Sequence, residues 1–179
     1  MRYLLDSGIV IALQRVGHLG ALSTISTKLP LLIVEEAYDE VVEPRGGKYV
    51  AESKQAQSTL DGCVTTVTID PTGEAAVRLS ALRSRKSKGT VAGLGEAASI
   101  ASAFDQNDCV FVTQDVAATF LALDELRGRV ITFFSFLRVA VDAGGLDVAA
   151  ARAIGEATPT AQGVQRAPPS WWSTWVGDR

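Results

Sequence analysis

Apolar and polar positions fall along this chain in blocks of two kinds. Short apolar runs read as strands: Arg2-Tyr3-Leu4-Leu5, Leu31-Leu32-Ile33-Val34, Cys109-Val110-Phe111-Val112 and Val130-Ile131-Thr132-Phe133-Phe134. The β-branched run Cys63-Val64-Thr65-Thr66-Val67-Thr68-Ile69 reads as another. Between them lie stretches of helical period. Leu94, Ala97, Ala98, Ala101 and Phe104 recur at three- and four-residue steps, which predicts a helix opening at Gly93 to Gly95. Its contact face is mostly alanine, so it can lie close against a sheet. Residues 9–13, 19–28, 35–42, 49–60, 75–82, 116–126, 135–143 and 146–157 read as further helices. Strands alternating with helices imply a parallel sheet covered on both faces. The expected fold class is therefore α/β: a three-layer α/β/α sandwich with a short, mostly parallel central sheet.

Composition adds bounds. The 179 residues suit one domain with a real core, and 47% hydrophobic against 21% charged residues argue against global disorder. A net charge of −3 argues against polyanion binding driven by bulk charge, though not against a local basic patch. The two cysteines, Cys63 and Cys109, have no metal-ligand spacing and read as buried thiols. No basic stretch followed by an apolar core opens the chain, and no run of about 20 apolar residues occurs. A soluble, cytoplasmic protein with no membrane partner is expected. Past residue 157 the composition shifts. A small, polar stretch leads to Trp171, Trp172 and Trp175. Exposed tryptophans would be costly, so this tail is expected to dock on the body or on another chain.

The chemistry lies in the acids. Asp6 and Asp115 each follow a predicted strand, and Glu96 stands in the first turn of the alanine helix. Functional groups gather at the carboxyl ends of strands in open α/β sheets. The plain alternative is that Asp6, Ser7 or Asp115 caps the next helix. Glu36 and Glu40 share a helical face one turn apart, as do Glu36 and Asp39, and periodicity does not say which points into a site. Converging carboxylates repel, and a hard divalent cation such as Mg²⁺ or Mn²⁺ would relieve this. His18 is the only histidine and has no ligand cluster around it in sequence. Arg83, Arg85, Lys86 and Lys88 precede Gly89, which reads equally as a solvated helix end or as a phosphate-binding patch.

Three stretches taken together resemble a known family: Leu4-Leu5-Asp6-Ser7-Gly8, Gly95-Glu96-Ala97-Ala98-Ser99-Ile100-Ala101 and Val112-Thr113-Gln114-Asp115. They are similar to the motifs of PIN-domain ribonucleases, of the kind found as the VapC-type toxin of a toxin–antitoxin pair. The resemblance covers residues 1–145, a PIN-like nuclease domain; residues 146–179, a helix and the tryptophan-containing extension, lie outside it. It implies a metal-dependent endoribonuclease that hydrolyses RNA phosphodiesters. Asp6, Glu40, Glu96 and Asp115 would be its catalytic carboxylates, holding Mg²⁺ or Mn²⁺. Counting from the strand end makes Glu40 the best match to the family's second acid and Glu36 the next. Ser7 and Thr113 would orient ligands or a water. Gln114 departs from the acid or Asn often found before the last Asp. RNA is the implied substrate, with Arg83, Arg85, Lys86 and Lys88 in reach of its backbone. An antitoxin protein and a second copy of the chain are the implied protein partners. Two other classes stay open. One is a catalytically weak PIN-like interaction module. The other is a different acid-rich hydrolase; a haloacid-dehalogenase-type phosphatase would need Asp where Gly8 stands, and the acid pair and lysine of a receiver domain are not visible.

Overall fold

A computed structural model describes residues 1–43, 50–84, 86–87, 90–91, 93–158 and 168–177, with the backbone alone for 86–87 and 90–91. In chain order the elements are β1 (Arg2–Leu5), α1 (Ser7–Arg15), α2 (Ala21–Ser26), β2 (Leu31–Val34), α3 (Glu35–Val42), α4 (Val50–Cys63), β3 (Thr65–Val67) and α5 (Glu74–Ser84). There follow β4 (Lys86–Ser87), β5 (Thr90–Val91), α6 (Leu94–Asp105), β6 (Cys109–Thr113), α7 (Val116–Leu126), β7 (Val130–Thr132), α8 (Phe133–Asp142), α9 (Val148–Ala157) and α10 (Ser170–Gly177). β4 and β5 form a small antiparallel hairpin.

The central sheet has five strands in the order β3-β2-β1-β6-β7, and every pairing in it is parallel. The fold is α/β, as the alternation of elements predicts. β2 and β6 are buried along their whole length, which is what helices on both faces of a parallel sheet require. From β1 the chain steps outward through β2 to β3, then returns to place β6 on the other side of β1. The strand order reverses there, and in open α/β sheets a crevice outside the carboxyl ends of the strands is the expected ligand site at such a point. The register sets Leu5 beside Val112, and the Asp6 amide donates to the Val112 carbonyl at 3.0 Å. Asp6 and Thr113 therefore leave the sheet side by side.

α6 is the most enclosed helix. Gly95 and residues 97–103 are buried, as α6 lies against α5, α3, α7 and the sheet. Small side chains on several faces permit this approach. Its C-terminal end is held by Arg129, which donates through Nη1 to the carbonyls of Ala103, Gln106 and Cys109 at 2.7, 2.9 and 2.7 Å. A cation there also suits the negative end of the helix dipole. On the outer side, Arg78 of α5 pairs with Glu125 of α7 and stacks over the Phe104 ring, 3.3 Å from its centroid. Among the described residues no helix is long and apolar enough to cross a membrane.

Beyond shifts of a few residues at element ends, three differences from the sequence reading stand out. Cys63 belongs to α4, and the third strand is only Thr65–Val67. β3 is an edge strand with a single neighbour, so little selects for a longer one. Phe133 and Phe134 are not strand but the first turn of α8, with Thr132 at its N-cap. Both rings are buried, Phe133 edge-on against Phe134 and Phe134 against Trp172 of the tail. The third difference is in the tail: Ser170–Gly177 is helical as α10, and Trp172 is buried edge-on against Phe134, ring centroids 5.0 Å apart. Arg152 of α9 donates to the Val176 carbonyl at the far end of α10.

Gly155 makes this docking possible. A Cβ there would lie 2.7 Å from the Trp172 ring, and a buried indole has nowhere to retreat. Alanine normally stabilises a helix relative to glycine by up to about 1 kcal/mol. Here the sign should reverse. Gly155→Ala is expected to destabilise the chain by about 1–3 kcal/mol, as overpacking does. Thermal or urea denaturation measures the loss, and a red shift of tryptophan emission would show α10 leaving its place; an unchanged or raised melting temperature would refute the account.

Candidate active site

Four acids reach the crevice from four separate elements. Asp6 follows β1, Glu40 lies on α3, Glu96 opens α6 and Asp115 follows β6. Asp6 occupies the N-cap position of α1, yet its side chain makes no capping bond. It turns into the sheet edge instead and accepts from Thr113 Oγ1 through Oδ2 at 2.9 Å. The residue is only 3% exposed, and Oδ1 is buried with no hydrogen-bond partner among the described residues. Thr113 is positioned in turn by the Asp115 amide, which donates to Thr113 Oγ1 at 3.1 Å.

The other three carboxylates each rest on a backbone amide. Asp115 caps α7, its Oδ1 accepting from the Ala118 amide at 2.9 Å. Glu96 accepts from the Gly93 amide through Oε2 at 3.2 Å. Glu40 accepts from the Gly95 amide through Oε1 at 3.2 Å and from Ser7 Oγ through Oε2 at 2.6 Å. The first amides of a helix have no partner within it, so carboxylates collect there. Two acids thus share the amino end of α6.

Burial drives the electrostatics, and the acids add to it. Burial pushes the Asp6 carboxyl from 3.8 up to about 7; the Thr113 hydrogen bond opposes this, and the charges of Glu96, Glu40 and Asp115 reinforce it. Burial raises the Glu96 carboxyl as well, against the Gly93 hydrogen bond, and Asp115 and Glu40 add to the rise. Glu40 and Asp115 thus act on both Asp6 and Glu96, and Glu96 acts on Asp6.

Each remaining sequence candidate has a place. Ser7 reaches Glu40 across the crevice rather than capping α1. Glu36, half-buried in the first turn of α3, is not among the charges acting on Asp6; its Oε2 is buried with no partner among the described residues. Arg83 is exposed at the end of α5, and Lys86 opens β4, whose backbone runs along α7. Arg85 and Lys88 lie outside the described residues. Two contributions had no sequence signal. Gln114 Nε2 donates to the Gly8 carbonyl at 3.0 Å, tying the β6 loop to α1, and Gly95 leaves room for Glu40.

The donor set suits a hard cation: all four groups are carboxylates, and Asp6 Oδ1 is an unpartnered oxygen inside the cluster. As the side chains stand, no three His, Cys, Asp or Glu residues among those described are arranged to ligate one ion. The physical reason is in the hydrogen bonds above. Three of the carboxylates are turned onto amides, where each finds partial positive charge instead of facing the others across an ion. A cavity of about 630 Å³ between α9 and α10, lined by Arg152, Glu156 and Trp172 among others, contains none of the four acids.

The Asp6 shift has a consequence for stability. In the folded chain Asp6 keeps its proton to about pH 7, whereas unfolded it would lose it near 3.8. Between these values the folded state binds more protons, so stability falls as pH rises, by at most about 1.4 kcal/mol per unit. Metal-free protein is expected to melt higher at pH 5 than at pH 8. Asp6→Asn should remove much of that slope and raise the melting temperature at pH 8. Melts across this range check it, and a wild type that gains stability from pH 5 to pH 8 would contradict it.

No protein-family model matches the chain, and neither a curated protein nor a solved structure shows significant similarity to it.

Proposed function

We propose that the chain is a metal-dependent endoribonuclease, toxin-like in kind, with its active site at the β1/β6 crevice. One observation carries the reading: a buried Asp6, with one oxygen unpartnered, lies in the field of Glu96, Glu40 and Asp115. Uncompensated carboxylates in this density cost stability, and a divalent cation is the simplest group that would offset them. Asp6, Glu40, Glu96 and Asp115 would hold Mg²⁺ or Mn²⁺. When bound, such an ion supplies Lewis-acid charge at a phosphodiester and lowers the pKa of water. Thr113 fixes the Asp6 carboxylate through its hydroxyl, and Ser7 does the same for Glu40. The cationic stretch that includes Arg83 and Lys86 offers charge for the RNA backbone. An antitoxin protein and a second copy of the chain are the protein partners this reading brings with it.

A second reading has its own observation. Glu40, Glu96 and Asp115 already accept hydrogen bonds from backbone amides, as structural carboxylates do. On that reading the chain is a catalytically weak PIN-like interaction module.

Cleavage of single-stranded RNA separates the two. The nuclease reading expects Mn²⁺-dependent cleavage that a chelator abolishes. Asp6→Asn and Asp115→Asn should each lower the rate by at least about 100-fold, while Asp6→Asn leaves the fold intact. Mn²⁺ should raise the melting temperature of the wild type by ligand linkage, and less so in either variant. Absence of cleavage together with no Mn²⁺-linked shift would favour the module.

A further inference from the structure

Gly95 stands at the second position of α6, and its backbone does not require glycine. The described glycines with positive φ are Gly17, Gly128 and Gly144, and Gly95 is not one of them. What distinguishes the position is space. A Cβ on Gly95 would find as its three nearest heavy atoms Oε1, Cδ and Oε2 of Glu40, at 2.9, 3.0 and 3.0 Å. The same carboxylate accepts from the Gly95 amide through Oε1 at 3.2 Å, and Ser7 Oγ donates to its other oxygen at 2.6 Å. Glu40 thus lies flat on the backbone of α6, clamped between an amide and a hydroxyl from elements distant in sequence.

We propose that Gly95 is a positioning residue: its missing side chain creates the place in which the Glu40 carboxylate is held beside Asp6 and Glu96. The inference rests on the ion-binding reading of these acids and adds a residue to it. Glu40 sits at the end of a flexible side chain, unlike the ring that faces Gly155. An alanine at residue 95 would therefore not break the fold. It would displace the carboxylate from the α6 amide and from Ser7, toward solvent. The chain should gain the helical preference of alanine and lose a fixed ligand, so stability and ion binding should move in opposite directions.

The experiment uses the full chain in four forms: wild type, Gly95→Ala, Glu40→Ala and the double variant. Each is melted without metal and titrated with Mn²⁺ by calorimetry. In the Glu40→Ala background, Gly95→Ala should raise the metal-free melting temperature by about 2 °C. With Glu40 present the gain should be smaller, because the hydrogen bond from the residue 95 amide to the Glu40 carboxylate is lost. Gly95→Ala should weaken Mn²⁺ binding by at least about tenfold, the usual cost of misorienting a ligand. Adding it to Glu40→Ala should cost nothing more. Equal melting shifts in both backgrounds would overturn the contact between residues 95 and 40. Unchanged Mn²⁺ affinity in Gly95→Ala would overturn the positioning role. A wild type that binds no Mn²⁺ would overturn the ion-binding reading and the role toward the ion with it, while the metal-free cycle would still judge the contact alone.

Discussion

The Asp6 carboxylate is held where water cannot reach it, at the one point in the sheet where the strand order reverses. That constraint organises its surroundings. Burial opposes the charge, so Thr113 must come from β6 to donate to one oxygen. The parallel register of β1 and β6 brings the two residues together without any loop having to search for the other. The remaining acids cannot approach freely, because each would add its charge to a group already disfavoured. They settle at helix amino ends, where unpaired amides offer compensation. The resulting arrangement leaves each of these three carboxylates on a hydrogen-bond donor rather than on a neighbouring acid.

α6 carries much of this arrangement. Its amino end supports Glu96 and, through Gly95, Glu40, while Arg129 ties its carboxyl end to the start of β6 through the carbonyls of Ala103, Gln106 and Cys109. The alanines and serines between let it sink among α3, α5, α7 and the sheet. A helix so enclosed has little freedom to slide, and the positions of both glutamates follow from that.

Two glycines show how the same geometry can have opposite meanings. A Cβ at Gly155 or at Gly95 would come closer to a neighbour than side chains tolerate. At Gly155 the neighbour is the buried ring of Trp172, and the consequence falls on packing. At Gly95 it is the movable end of Glu40, and the consequence falls on the site. Whether a close approach matters to the fold or to chemistry depends on what can move away.

Much of the architecture was legible in the sequence, because it depends on period. Four-residue apolar runs gave β1 and β2, the alanine spacing gave α6, and the alternation of elements gave a parallel sheet. The acids were visible too, since Asp6, Glu96 and Asp115 stand next to element ends that periodicity locates. What required the tertiary structure was every relation across elements. Glu36 and Glu40 share a helical face, and only the packing of α3 on α6 and α1 brings Glu40 to Ser7 and the Gly95 amide. Phe133 and Phe134 read as strand because they are apolar, but both lie in a helix, Phe134 against Trp172 of α10, and no local pattern records a partner some forty residues away. Hydrophobic period is a property of neighbours in the chain; the distance between two side chains from separate elements is set only when those elements pack.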